Sequence, residues 1–187
     1  NSYGLWVNEI INELNINNVT MAGFSFGGLI ILKTLIQDEK KIKEVFLSAP
    51  AFIVNGNPIV LLFKVFIPLK RYIKTKKSKY IEKFLNSLFT EPDVFALEYL
   101  SKVFLYFNMD FTPVPVIKEA EAKLITTPIN LFAAKKDIVF PGIKMLKRAS
   151  KIFPSLKKTM LLENSKHVQS RIDNNKIEKM ITFGSSL

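Results

Sequence analysis

The stretch MAGFSFGGLI, residues 21–30, places Ser25 between glycines at positions 23 and 27, with a third glycine at 28. The whole chain of 187 residues contains only seven glycines. The residues VTMAGF (19–24) predict a short buried strand, and the residues GGLIILKTLI (27–36) predict a helix that packs inside the protein. We therefore predict a strand that turns directly into a helix, with the serine at the bend.

The pattern Gly23-x-Ser25-x-Gly27 in this context is typical of a serine nucleophile. A sharp strand-to-helix turn forces the residue at the bend into a sparsely populated backbone conformation, which costs about 1–3 kcal/mol. Side chains two residues before and after the bend would collide, so glycine is expected at both places. The amide of Phe26, at the helix N-terminus, would donate to a developing oxyanion. By accident the pattern would occur in roughly 1–2% of chains of this composition. The glycine spacing matches neither of the phosphate-binding patterns G-x-x-x-x-G-K and G-x-G-x-x-G.

Four predicted strands alternate with helices along most of the chain. This order favours an α/β fold, a parallel sheet of about four strands flanked by helices. In the first helix, Leu5, Trp6, Ile10, Ile11 and Leu14 form one apolar stripe with polar residues opposite, which predicts a surface helix. The predicted strands are 19–24, 43–49, 128–134 and 156–162, and the predicted helices are 4–14, 27–36, 116–124, 142–150 and one capped by Asn174.

Residues 51–118 interrupt this alternation. They carry long helical periodicities and nine of the sixteen phenylalanines. Thr90 and Asp93 match a capping box with Pro92 in the first turn, which predicts a helix over about 91–107. We predict an inserted helical domain at 51–118 and a core made of 1–50 and 119–187. The nine phenylalanines are at positions 52, 63, 66, 84, 89, 95, 104, 107 and 111.

A serine nucleophile needs a base, and the chain has one histidine, His167. It follows the last predicted strand, and Asp137 follows the preceding one. Both residues, like Ser25, therefore lie at the C-terminal ends of parallel strands, where such sheets bind ligands. The order Ser…Asp…His is that of a known catalytic arrangement. Alternatives are an inert surface histidine, an aspartate that only stabilises a turn or caps the helix at 142, and Glu163 as the acid.

Composition excludes several other kinds of site. The chain has no cysteine, which excludes disulfides and thiolate metal sites, and one histidine argues against a multi-histidine metal site. We predict no cofactor and no metal. The net charge is +11, which favours binding to anionic surfaces in general. Seven of the basic residues cluster between positions 70 and 83. This cluster fits either a solvated helix face or a phosphate-binding patch. Its residues are Lys70, Arg71, Lys74, Lys76, Lys77, Lys79 and Lys83.

These residues together resemble the α/β-hydrolase superfamily over the length of the chain. GFSFGG is similar to its nucleophile elbow, DIVFP to its acid loop and SKH to its histidine loop. The resemblance implies Ser25 as nucleophile, His167 as general base and acid, Asp137 as orienting acid and the Phe26 amide as one oxyanion donor. It also implies that 51–118 is a cap, or lid. Within the superfamily, the sequence is most similar to small bacterial carboxylesterases and lipase-like hydrolases. A serine at the elbow argues against the dehalogenase and epoxide-hydrolase branches, which have an aspartate there.

The sequence departs from the superfamily in the segment that precedes the nucleophile elbow. Members of the superfamily carry several strands and a loop, often with His-Gly, ahead of the nucleophile, and this loop gives the second oxyanion amide. Only 24 residues precede Ser25 here. We therefore expect residues 1–187 to be part of a longer protein or a truncated gene product. If they are the whole molecule, the strand at 19–24 is expected to be an open edge.

The predicted activity is hydrolysis of a carboxylic ester through an acyl-enzyme. Other reactions at the same triad remain open, namely acyl transfer and thioester, amide or C–C cleavage. A second class is a truncated, non-catalytic module that binds through its basic, aromatic cap. The predicted substrate is a small, apolar ester or acyl compound. We expect a cytoplasmic protein with no nucleic-acid partner, and we expect peripheral membrane contact through the basic cap.

Overall fold

A computed structural model describes residues 2–107, 110 and 112–183. Its centre is a four-stranded sheet in the order β1-β2-β3-β4, and every pair of neighbouring strands is parallel. The prediction of a parallel sheet of about four strands flanked by helices is confirmed. The strands are β1 (Val19–Phe24), β2 (Ile42–Ser48), β3 (Ile129–Ala134) and β4 (Leu156–Leu162), each within one residue of the predicted bounds.

Helices cover both faces of this sheet. Val45 and Leu47 of β2 belong to the main apolar core, whereas Phe46 between them packs on the opposite face with Ile177. This alternation is the two-residue period of a strand buried on both faces. The helices are α1 (Ser2–Glu13), α2 (Phe26–Gln37), α3 (Pro58–Leu61), a π-helical turn (Leu62–Phe66), α4 (Ile67–Thr75), α5 (Ser78–Leu88), α6 (Val94–Tyr106), α7 (Glu119–Ala122), α8 (Gly142–Ile152) and α9 (Arg171–Phe183).

Helix α1 buries a different side from the one its apolar stripe indicated. Gly4 and Ile11 are buried, while Trp6 and Leu14 are exposed. The cause is close backbone packing against α2, because a Cβ added at Gly4 would overlap the carbonyl group of Lys33. A small residue therefore sets the rotation of this helix, and most of the predicted stripe faces outward.

Three local predictions were wrong in detail. Helix α6 is capped by Asp93 alone, whose carboxylate accepts from the amide of Ala96 at 2.8 Å. Asn174 lies inside α9, where the Ser170 hydroxyl accepts from the first-turn amide of Asp173. Only Glu119–Ala122 of the predicted helix 116–124 is helical. In each case the alternative cap or a tertiary contact decides where the helix begins or ends.

The segment between β2 and β3 contains α3 to α6 and an apolar cluster of its own. Phe84 and Phe104 pack edge to face in this cluster, with ring centroids 5.2 Å apart. Residues 51–54, by contrast, belong to the main core beside the sheet. We call α3 to α6 the helical insertion; its limits at 51–118 stay a prediction. The buried members of its cluster are Leu69, Tyr72, Ile81, Phe84, Leu85 and Phe104.

We expect alanine at Gly28 to lower the free energy of unfolding by about 1–3 kcal/mol, as overpacking does. A Cβ at this position would overlap Pro50 Cβ and lie 2.9 Å from its Cα. Gly27 is the matched control, because a Cβ there would meet nothing within 4 Å. Urea denaturation of both variants measures the difference. Equal destabilisation by the two substitutions would contradict the packing argument.

Candidate active site

Ser25 occupies the bend between β1 and α2. Its backbone has φ 52° and ψ −115°, a conformation that costs a non-glycine residue about 1–3 kcal/mol. Three backbone hydrogen bonds hold it there. Its amide donates to the Ser48 carbonyl at 3.0 Å, and its carbonyl accepts from the amides of Gly28 at 3.0 Å and Ala51 at 2.9 Å. The neighbouring strand and the chain after it thus fix the strained turn.

The glycines around this turn have different roles. A Cβ at Gly23 would lie 2.8 Å from the carbonyl carbon of Gly27 and 2.7 Å from the Cδ1 of Ile31. Gly27 itself has open space where its Cβ would be. The expected need for glycine at both positions was therefore wrong at Gly27. Gly28, whose role no local pattern predicts, instead permits α2 to approach Pro50.

The structure brings the three predicted polar residues into one hydrogen-bonded chain. His167 Nε2 lies 2.9 Å from Ser25 Oγ, and His167 Nδ1 lies 2.8 Å from Asp137 Oδ2. The three residues follow β1, β4 and β3, so the C-terminal ends of these strands deliver them to one edge of the sheet. A carboxylate that accepts from Nδ1–H leaves Nε2 unprotonated and able to accept the serine proton.

Asp137 is oriented by its own loop. Its Oδ1 accepts from the amides of Val139 at 2.7 Å and Phe140 at 3.0 Å, which leaves Oδ2 for the histidine. The side chain is buried, with the residue 4% exposed. Glu163, the alternative acid, is exposed and pairs with Lys135 at 2.6 Å. The geometry therefore places Asp137, not Glu163, against the imidazole.

The imidazole of His167 packs against two aromatic rings. The ring centroid of Phe24 is 5.0 Å from it and that of Phe140 is 5.4 Å from it. The residue is 9% exposed. These ring contacts, the hydrogen bond to Asp137 and the low exposure together restrict rotation of the imidazole and keep Nε2 directed at Ser25.

A second buried pair anchors the loop that carries the histidine. Ser165 Oγ donates to Asp173 Oδ2 at 2.7 Å, and Lys176 pairs with the other oxygen of this carboxylate at 2.9 Å. Burial raises the pKa of Asp173, but the hydrogen bonds from Ser165 and Lys176 outweigh it and hold the pKa below its usual value. The carboxylate is therefore ionised near neutral pH and ties the loop to α9.

No protein-family model and no curated protein matches this sequence. Solved structures do match its fold. The naproxen esterase (carboxylesterase NP) from Bacillus subtilis has a TM-score of 0.76 at 20% identity, over 97% of this chain and 65% of that chain. The carboxylesterase CesB from Bacillus subtilis has a TM-score of 0.71 at 16% identity, over 97% of this chain and 66% of that chain. An esterase from Exiguobacterium antarcticum has a TM-score of 0.71 at 19% identity, over 96% of this chain and 71% of that chain.

The chain has the α/β-hydrolase fold. It spans less than two thirds of the length of the naproxen esterase. Within this sheet, β1 pairs only with β2 among the described residues. The amide of Phe26 begins α2, where the first amides have no acceptor within the helix. It lies next to Ser25, where an oxyanion would form.

Several residues of this site were not identified from the sequence. Phe140 contacts the imidazole, Asp173 anchors the histidine loop and Thr90 bonds to that loop from the helical insertion. The only sequence signal for Thr90 was its resemblance to a helix cap. In the described part of the chain, no three His, Asp or Glu side chains cluster as ligands of a metal ion.

Proposed function

We propose that this protein is a serine hydrolase that cleaves a carboxylic ester through an acyl-enzyme. The observation that carries the proposal is the unbroken chain of hydrogen bonds from Ser25 Oγ through His167 to Asp137, with the serine held in a strained backbone conformation. Nucleophile, base and orienting acid within hydrogen-bond reach are the geometric signature of nucleophilic catalysis.

The reaction proceeds in two halves. In the first half, His167 accepts the proton of Ser25 as its oxygen attacks the ester carbonyl, and the Phe26 amide donates to the resulting oxyanion. His167 then protonates the leaving alcohol, which leaves an acyl group on the serine. In the second half, water attacks the acyl carbon as His167 accepts its proton, and His167 then returns this proton to the Ser25 oxygen as the bond to the acyl group breaks and the acid leaves. Asp137 holds the imidazole tautomer and stabilises its cation throughout.

The acyl pocket is proposed to be apolar. Phe24 and Phe26 are the chain neighbours of the serine and are 41% and 45% exposed, so both residues keep apolar surface open at the turn. Phe84 and Phe104 of the helical insertion are buried against each other and serve packing instead. Phe111, also counted among the cap phenylalanines, lies outside the described residues. We propose that 51–118 acts as the cap over this pocket.

Acyl transfer and thioester, amide or C–C cleavage would use the same three residues. A steady-state comparison of p-nitrophenyl butyrate, a butyryl thioester and butyryl p-nitroanilide discriminates among the hydrolytic alternatives. We expect kcat/KM to be greatest for the ester. Turnover of the thioester or the anilide without turnover of the ester would contradict ester hydrolysis. It would leave the assignment of the three catalytic residues intact.

A second candidate function is contact with an anionic membrane surface through the helical insertion. Residues 58–75 form one continuous helix of α3, the π-helical turn and α4. Its first half exposes Ile59, Leu62 and Phe63, which are 65%, 45% and 59% exposed. Its second half, the two-residue linker at 76–77 and α5 carry the seven-residue basic cluster, with Glu82 as the only acid between positions 70 and 83. Exposed apolar residues beside basic ones are typical of helices that lie on anionic lipid. Among the described residues, no helix is long and apolar enough to cross a membrane.

Sedimentation with vesicles tests this surface. We expect binding to vesicles with 30% phosphatidylserine, at roughly 1 kcal/mol per basic residue near the lipid, and loss of binding in high salt. The variant Lys74→Glu/Lys77→Glu should weaken binding by about tenfold or more. The control, Lys147→Glu/Lys151→Glu on α8, makes the same change in net charge and should bind normally.

The apolar part of the surface separates a membrane from other polyanions. Phe63→Ser should weaken binding to vesicles and leave retention on heparin unchanged, because only the bilayer accepts the ring. Equal loss of vesicle binding in both double variants, or unchanged vesicle binding in Phe63→Ser, would show only a general attraction between opposite charges. Either result would overturn this candidate function.

A further inference from the structure

The loop that carries His167 is held from two sides. From the side of the sheet, the amide of Lys136 donates to the Ser165 carbonyl at 3.0 Å, and the Ser165 hydroxyl bonds to Asp173. From the other side, the linker between α5 and α6 contacts the loop directly. Phe89 in this linker forms an isolated parallel β-bridge with Val168.

Thr90 makes most of the second contact. Its hydroxyl accepts from the amide of Lys166 at 2.9 Å and donates to the carbonyl of Val168 at 2.7 Å. Its own amide donates to the same carbonyl at 3.0 Å, and the Val168 amide donates to the Leu88 carbonyl at 2.9 Å. Backbone groups immediately before and immediately after His167 are thus bonded to the helical insertion.

A threonine hydroxyl has one proton to donate and lone pairs to accept with. Thr90 uses both capacities on two residues that flank one histidine. The contact joins segments 76 and 78 residues apart in the sequence. It leaves the histidine side chain free to reach Asp137 and Ser25, because it engages only the backbone of the neighbouring residues.

We infer that Thr90 is a positioning residue, through which the helical insertion sets the distance between the imidazole of His167 and the hydroxyl of Ser25. The kinetic consequence of this inference rests on the proposed function; the structural one does not. If the insertion shifts, the loop shifts with it, and the 2.9 Å contact between Nε2 and Oγ changes. A displacement of about 1 Å in such a contact can cost about 100-fold in rate. The proposed cap therefore aligns the general base in addition to covering the site.

Three variants test the kinetic consequence. Thr90→Val keeps the shape of the side chain and removes both hydroxyl hydrogen bonds, so kcat should fall about 10- to 100-fold with KM within about twofold. Thr90→Ser restores the hydroxyl and should recover most of the activity. Thr75→Val is the matched control, because the Thr75 hydroxyl donates to the Arg71 carbonyl on the exposed side of the same insertion. It should leave kcat unchanged.

An activity-independent measurement uses the fact that His167 is the only histidine. Its Nδ1 proton, shared with Asp137, should give one downfield NMR signal that exchanges slowly with water. We expect Thr90→Val to broaden this signal and speed its exchange at least about tenfold, while Thr75→Val and Thr90→Ser leave it sharp. Thr90→Ala replaces the valine variant if the latter fails to fold.

The two readouts separate the two hypotheses. A chain that hydrolyses no ester but shows the expected NMR differences would overturn the proposed function and keep Thr90 as a positioning residue. An active chain whose Thr90→Val variant retains full kcat and a sharp, slowly exchanging signal would overturn the positioning role. A loss of activity in Thr90→Val that Thr90→Ser does not recover would also overturn it.

Discussion

Ser25→Ala and Ser25→Gly are both expected to lower kcat for ester hydrolysis by about 10⁴-fold or more, since neither retains a nucleophile. The two variants should differ in stability. Alanine keeps the Cβ that strains the backbone at φ 52°, whereas glycine accepts this conformation readily. Both lose the hydrogen bond to His167, so this loss cancels in the comparison. We expect the glycine variant to be more stable by about 1 kcal/mol.

Initial-rate kinetics and urea denaturation measure these two effects. Ser150→Ala is a suitable control, because the Ser150 hydroxyl is exposed and donates to the Lys147 carbonyl of its own helix. This control should retain full activity. Substantial hydrolysis by Ser25→Gly would contradict the nucleophile assignment, and equal stability of the alanine and glycine variants would contradict the strain argument.

Asp137→Asn is expected to lower kcat by about 10⁴-fold without unfolding the protein. The amides of Val139 and Phe140 donate to one oxygen of this side chain, and the asparagine carbonyl can take that place. Its NH₂ group then faces His167 Nδ1 and donates to it. Nε2 must then carry the ring proton and can no longer accept one from Ser25.

Glu163→Gln is the matched control for this change, since it neutralises the exposed acid four residues before the histidine. It removes the ion pair with Lys135, which is worth little at the surface. We expect its kcat to stay within about twofold of the unaltered chain. A larger loss in Glu163→Gln than in Asp137→Asn would reverse the assignment of the acid.

The sequence predicted those features that depend on neighbours along the chain. Apolar runs bounded by turn residues located each strand within one residue. The position of Ser25 followed from a strand and a helix separated by a glycine-flanked serine. His167 and Asp137 could be placed beside it because the C-terminal ends of parallel strands meet at one edge. Local pattern and sheet geometry together were sufficient to bring these three residues together.

The features that the sequence did not predict depend on contacts between distant segments. The rotation of α1 follows from the approach of Gly4 to Lys33, and the need for glycine at 28 follows from Pro50. Thr90 resembles a helix cap in its local context, yet its hydroxyl bonds to the histidine loop 76 and 78 residues away. No period or local motif encodes such pairings, so only the folded chain reveals them.

Reaction with a fluorophosphonate probe, followed by mass spectrometry of the labelled peptides, tests the acyl-enzyme proposal most directly. The probe phosphonylates a serine only when a neighbouring base activates it. We expect one label per chain, located on Ser25, and no label in His167→Ala at the same probe concentration. A chain that stays unlabelled, or that carries the label on another serine, would contradict the proposed function.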